Sequence, residues 1–259
     1  MASGVSDAIG ETIPRQFLRT PAAWALPLFG FAPLLLISVV ASLEQTRAAF
    51  VIYFALAWTA YFFVWVADNK PSLPLGLGVA VFTVGVGVPV GTLLTGIPPL
   101  SSAYGMASES TGVRQLAAFI FADGLNEELL KALALWVVAF GLRRMDTPSD
   151  GVFYGALAGL GFAVFEGYRA IAIAPDSREM ARQMLLRTTA LPLVHATFTG
   201  VNGYFIAMPS ANRRDRVALC AAGLGVAAIL HGVYDFGSEV WRFFLAAAAH
   251  LVLISRARQ

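Results

Sequence analysis

The chain has 259 residues, 58% of them hydrophobic and only 13% charged, with a net charge of +2. Soluble domains carry about 25% charged residues and a bilayer crossing takes about 20 apolar ones. The composition therefore excludes a soluble enzyme, a DNA-binding module and a disordered chain. It leaves room for about eight membrane spans and little else. Cys220 is the single cysteine, which excludes an intramolecular disulfide and a Cys-rich metal site.

The first twenty residues are polar and end in Arg15 and Arg19. No short apolar run with a small-residue cleavage site follows, so no removable signal peptide is expected. The apolar runs predict eight helices, at about 21–42, 48–67, 73–97, 113–142, 151–174, 188–208, 216–236 and 238–255. That is an all-α polytopic transmembrane bundle, read as one integral membrane domain over residues 1–259. The runs are continuous rather than alternating, which argues against a membrane barrel. The longest linkers are about Pro98–Gly112 and Pro175–Arg187. Gly87-x-x-x-Gly91 and Gly155-x-x-x-Gly159 read as helix-contact stripes, and Pro89 predicts a kink in the third span.

With the N-terminus inside, ten Arg and Lys residues fall on inner segments and six on outer ones. This bias favours N-in and C-in. The stretch Arg178–Arg187 opposes it and reads as an interfacial amphipathic segment.

A charge at the centre of a membrane helix costs about 2.5–3.5 kcal/mol or more, so such residues need a partner and usually a task. The fourth span carries Asp123 and Glu127-Glu128-Leu129-Leu130-Lys131. The fifth carries Glu166, with Arg169 a turn later; the sixth carries His195; the seventh carries His231 and Asp235. At about 1.5 Å of rise per residue, Glu127, Glu166, His195 and His231 fall within roughly 8 Å of one another along the membrane normal, in its outer half. A single polar cluster accounts for this. Blander readings stand beside it. Lys131 shares a helix face with Glu127 and Glu128 and neutralises them. Glu166 pairs with Arg169. Asp235 holds the His231 tautomer or caps the helix end. Asp123 has no assigned role, and His250, alone in the last span, reads as structural.

A carboxylate in an apolar site beside a Lys is suited to act as general base for water. Two imidazoles opposite it can hold the water, donate to an oxyanion or bind a metal. Two His and a carboxylate also form a catalytic zinc set. The residues thus point to hydrolysis by activated water. The chain has no H-E-x-x-H and no G-x-S-x-G, which counts against zincin and serine mechanisms.

The four segments also resemble the motifs of the PrsW family of intramembrane proteases, related to the type II CAAX prenyl endopeptidases. Glu127-Glu128-x-x-Lys131 is similar to its E-E-x-x-K motif, and Gly159-Leu-Gly-Phe-Ala-Val-Phe-Glu166 to its G-F-A-x-x-E-N motif. His195 with Gly203-Tyr204-Phe205 resembles the third motif, and His231-Gly-Val-Tyr-Asp235 the last. The resemblance covers about residues 118–236, the expected catalytic core. Gly167 stands where the family usually has Asn, and Asp235 where it often has Asn. The resemblance implies an endopeptidase of a bacterial plasma membrane that cuts membrane-tethered proteins, in some members an anti-sigma factor. It implies Glu127, Glu128, Glu166, His195 and His231 as catalytic residues, with Lys131 and Asp235 supporting. Two mechanisms stay open: zinc held by His195, His231 and Glu127, or metal-free water activated by glutamate. The competing class is a non-catalytic scaffold or transporter using the same cluster. A transporter is expected to show inverted repeats, and none stands out.

Overall fold

The computed structural model describes residues 42–67, 71–209 and 212–257. The first expected span and the reading of the N-terminus lie outside the described residues. The chain divides into two units, residues 1–50 and 51–259. Of the first, only residues 42–50 are described, where helix α1 (Leu43–Val66) begins. Ser42 and Gln45 cap that start reciprocally: the Ser42 N–H donates to Gln45 Oε1 at 3.0 Å and the Gln45 N–H to Ser42 Oγ at 3.3 Å.

The second unit holds the rest of α1 and α2 (Leu73–Thr95), α3 (Leu100–Glu109), α4 (residues 112–141) and α5 (Pro148–Ala172). It continues with α6 (Ser177–Leu185), α7 (Leu191–Ala207), α8 (Arg213–Phe236) and α9 (Glu239–Ala257). No strand occurs among the described residues. Helices α1, α2, α4, α5, α7, α8 and α9 answer the expected helices from the second to the eighth. The two longest expected linkers are instead partly helical, as α3 and α6. Both are too short and too polar for hydropathy to mark. Pro98-Pro99 cannot extend α2, and α3 starts directly after Pro99. The Asp176 carboxylate accepts the Glu179 N–H at 2.8 Å and caps α6. On that exposed helix Arg182 bonds Glu179 through two nitrogens and holds its carboxyl down to about 2. None of the residues of α6 is buried.

Among the described residues, five helices are long and apolar enough to cross a membrane: α1, α2, α5, α8 and residues 240–257 of α9. They carry their apolar side chains outward, as at Val81, Phe243, Leu251 and Val252, each more than half exposed. The chain is an integral membrane protein. In α5 the relation is inverted: 78% of its apolar window is buried, against 11–28% in the other four. It is the central helix. Helix α4 interrupts its apolar run with Asp123, Glu127, Glu128 and Lys131, and α7 is only 17 residues long.

A capping box starts α5. The Asp150 N–H donates to Thr147 Oγ1 at 3.2 Å, and the Thr147 N–H donates to Asp150 Oδ2 at 2.9 Å. Gly151, Gly155 and Gly159 then recur every fourth residue along one face. A Cβ on them would strike the backbone carbonyls of Gly203, Thr199 and His195 respectively. The descending order shows α7 antiparallel to α5. The glycine stripe lets the backbones meet and fixes the axial position of His195. The expected contact at Gly87 and Gly91 is also present, against Leu130 of α4. At Pro89 the helix is preceded by a π-helical turn, Thr83–Gly87, where a kink was expected. A second π turn, Ile120–Leu125, precedes Glu127 in α4. There Gly124 lies against the Ala228 carbonyl, and Gly232 against the Ile120 backbone, so α8 and His231 come close to α4.

Candidate active site

The centre of the cluster is the Lys131 ammonium, which is fully buried. It donates to Glu128 Oε1 at 2.8 Å, to Glu127 Oε2 at 3.3 Å and to His195 Nδ1 at 3.1 Å. An ammonium has three protons, so its donor capacity is met. The Phe162 ring of α5 lies beneath it, 4.3 Å from Nζ to the ring centroid.

The adjacent glutamates sit differently. Glu128 is fully buried and engages both oxygens. Its Oε1 accepts from Lys131 and, at 3.0 Å, from His231 Nδ1–H; its Oε2 accepts from Thr199 Oγ1–H at 2.8 Å. The Glu127 side chain is 18% exposed. Its Oε2 meets Lys131 and lies 3.5 Å from His231 Nε2 and 4.0 Å from His195 Nδ1. Its Oε1 has no hydrogen-bond partner among the described residues.

Glu166 reaches the cluster from α5. Its Oε2 accepts His195 Nε2–H at 2.7 Å, and its Oε1 pairs with Arg187. Arg187 also donates from Nε to Gln183 Oε1 at 3.1 Å. Each imidazole thus has one nitrogen held by a carboxylate, which sets its tautomer. His195 turns Nδ1, and His231 turns Nε2, toward Glu127. One ligand atom each from Glu127, His195 and His231 lie within 4.8 Å of one another.

Glu127, Glu128, Glu166, His195, His231 and Lys131 therefore meet in one place, drawn from α4, α5, α7 and α8. Two expected pairings differ. Glu166 pairs with Arg187 rather than with Arg169, three residues further along α5, which forms no ion pair with a carboxylate among the described residues. The His231 tautomer is held by Glu128, because His231 Nδ1 points into α4; Asp235 lies 3.5 Å from the opposite nitrogen. Gly167 fits the Arg187 arrangement. A Cβ there would come 3.3 Å from the Arg187 carbonyl oxygen and 3.4 Å from its Cβ. His250 bridges three helices, with Tyr61 Oη at 2.9 Å and Thr197 Oγ1 at 2.9 Å, in keeping with a structural role.

Sequence reasoning passed over Thr199, Arg187 and Gln183. Thr199 carried one signal, its i+4 spacing from His195 on the same face of α7. Arg187 lay in what read as a linker. A cavity of about 390 Å³ adjoins the cluster between α2, α3, α4 and α5, and among the described residues Glu127 is the one carboxylate that lines it.

Comparison with known proteins places the chain in a family. The model of the PrsW family intramembrane metalloproteases matches residues 73–256. The chain is 27% identical over 200 residues to Protease PrsW of Shouchella clausii, covering 77% of this chain and 84% of that one. It is 26% identical over 194 residues to Protease PrsW of Geobacillus kaustophilus, covering 73% and 80%. With Protease PrsW of Bacillus subtilis it shares 26% over 183 residues, covering 70% and 77%. No solved structure gives a match. The buried Glu-Glu-Lys motif, the two carboxylate-held imidazoles and a family match over most of the chain agree: the protein is a membrane protease and belongs to the PrsW family of intramembrane metalloproteases.

Proposed function

We propose that this protease hydrolyses a peptide bond of a membrane-tethered protein with water that Glu127 deprotonates. The observation that carries the reading is the asymmetry of the two glutamates. Glu127 lines the cavity and keeps Oε1 without a partner among the described residues, whereas both Glu128 oxygens are engaged. As water attacks the carbonyl carbon, Glu127 accepts its proton and later returns it to the leaving amine. Lys131, its three protons already committed, holds the Glu127 carboxylate in place through Oε2. Glu128 and Thr199 hold Lys131 and His231 in place; Glu166, steadied by Arg187, does the same for His195. Asp235 supports His231 from its other side.

Glu127, His195 and His231 fit a zinc ion by donor chemistry: two imidazole lone pairs and a carboxylate converge, and each imidazole has the carboxylate partner that metal-bound histidines usually have. When bound, zinc supplies a Lewis acid that lowers the pKa of water. One observation favours the metal-free reading: the Lys131 ammonium already lies within hydrogen-bond distance of His195 Nδ1 and Glu127 Oε2. Elemental analysis of purified protein decides between them. About one zinc per chain, lost in His195→Ala and in His231→Ala, with N and O neighbours at about 2.0–2.2 Å by X-ray absorption, would establish the zinc route. Zinc-free protein that still cleaves would establish the metal-free route.

The proposal includes eight spans with both ends in the cytoplasm, a bacterial plasma membrane, and an anti-sigma factor as one substrate type. The scaffold and transporter readings receive no support from the family assignment.

A further inference from the structure

The cavity beside Glu127 has a sidedness that the hydrolytic cluster does not use. Its walls follow helical spacing: Val88, Gly91, Thr92 and Thr95 on α2, and Phe162, Phe165 and Arg169 on α5. Asn126, Glu127 and Leu130 of α4 and Tyr104 of α3 complete it. Its volume, about 390 Å³, lies in the range of about 300–1,000 Å³ usual for ligand pockets.

Two features of this lining lack partners. Asn126 is 3% exposed, and its Nδ2 donates to Tyr104 Oη at 3.1 Å, yet its buried Oδ1 has no hydrogen-bond partner among the described residues. A buried amide oxygen left unpaired costs about 1–3 kcal/mol, so a donor that enters the cavity is favoured. Arg169 pairs with no carboxylate among the described residues, and it is the only cation in the lining. A peptide bond within the bilayer becomes accessible only if its helix unwinds, and the freed main-chain groups then need polar partners. Asn126, Tyr104, Thr92 and Thr95 are the polar groups here that can meet them.

Phe162 marks the level of the cluster, since it lies under Lys131 and 5.4 Å from the His195 ring, centroid to centroid. Arg169 is seven residues further along α5, or about 10 Å. That is the reach of about three extended residues.

Resting on the proteolytic reading above, we infer that this cavity is the cleft for an unwound single-span substrate, and that Arg169 selects substrates with an acidic side chain about three residues from the cut. Asn126 Oδ1 accepts a main-chain N–H of the unwound segment, and the acidic side chain forms a charge-assisted pair with Arg169.

The test uses synthetic single-span peptides that differ at one residue, Glu, Gln or Lys, scanned through positions two to four on either side of a cut mapped by mass spectrometry. In detergent, wild type should prefer Glu over Lys by about tenfold in kcat/KM at one position, mainly through KM. Arg169→Gln should flatten the order and Arg169→Glu should invert it, with kcat nearly kept. Because Arg169 is exposed, both variants should fold. An order that is the same in all three proteins while cleavage persists overturns the role of Arg169. Asn126→Leu should raise KM for all peptides alike; an unchanged KM overturns the main-chain contact. If wild type cuts no peptide, the proteolytic reading fails separately. Equilibrium binding of the same peptides, fluorescently labelled and read by anisotropy, then decides the inference: an order inverted by Arg169→Glu supports it, and a flat order overturns it.

Discussion

Glu128 accepts from Lys131, His231 and Thr199 in a site with no exposure, while Glu127 shares Lys131, lines the cavity and keeps one oxygen without a hydrogen-bond partner among the described residues. Neutralising them should have unequal effects. Removing one partner of a buried ion pair costs about 3–5 kcal/mol, because a charge is left uncompensated. Glu128→Gln should therefore lower thermal stability in detergent markedly. Thr199→Val removes one hydrogen bond to a charged oxygen and should cost about 1.5–3 kcal/mol. Glu127→Gln should cost least, since Lys131 keeps Glu128 and His195. Thermal unfolding of the three variants checks this order, and a Glu127→Gln loss equal to that of Glu128→Gln would contradict it. Glu127, Glu166, His195 and His231 were legible in sequence because an ionisable residue inside an apolar run is costly and needs a reason. Thr199, Asn126 and Tyr104 were not, because hydroxyl and amide side chains are common in such runs and gain meaning only from the partner the fold supplies.

The α5–α7 contact shows how an element sets a site. Each glycine of Gly151, Gly155 and Gly159 faces a carbonyl of α7, and the last of these belongs to His195 itself. A side chain there meets backbone, which cannot rotate away, so the cost should exceed the ~1–3 kcal/mol usual for overpacking. Gly159→Leu should lower the melting temperature, displace His195 from Glu166 and abolish cleavage. Gly78→Leu on α2, where nothing lies within 4 Å of an added Cβ, is the matched control and should behave as wild type. Equal behaviour of the two variants would refute the register argument. The stripe at Gly155 and Gly159 was visible in sequence; its partners on α7 were not, because a four-residue glycine spacing names a contact face but not the neighbour. Helices α3 and α6 escaped notice because ten and nine residues of mixed polarity carry no span signal. Both matter to the site: α3 brings Tyr104, and α6 ends in the turn that carries Arg187.

At the scale of the whole molecule, apolar side chains face outward on the membrane-spanning helices, and polarity is gathered around a buried α5. This inversion follows from the bilayer as solvent, in which every internal charge must find its partner inside the bundle. The composition made the membrane legible, and the apolar runs located the described long helices to within a few residues. The convergence of four helices on one lysine was only inferable from common depth. The central claim is that this buried cluster is a hydrolytic centre with Glu127 as its base. The most direct measurement is cleavage of a panel of single-span substrates by the purified protein reconstituted in liposomes, with wild type and Glu127→Gln side by side. Glu127→Gln should insert and fold as wild type does, yet lose about 10²–10⁴ in rate on a substrate that wild type cuts. Cleavage by Glu127→Gln at the wild-type rate would contradict the account.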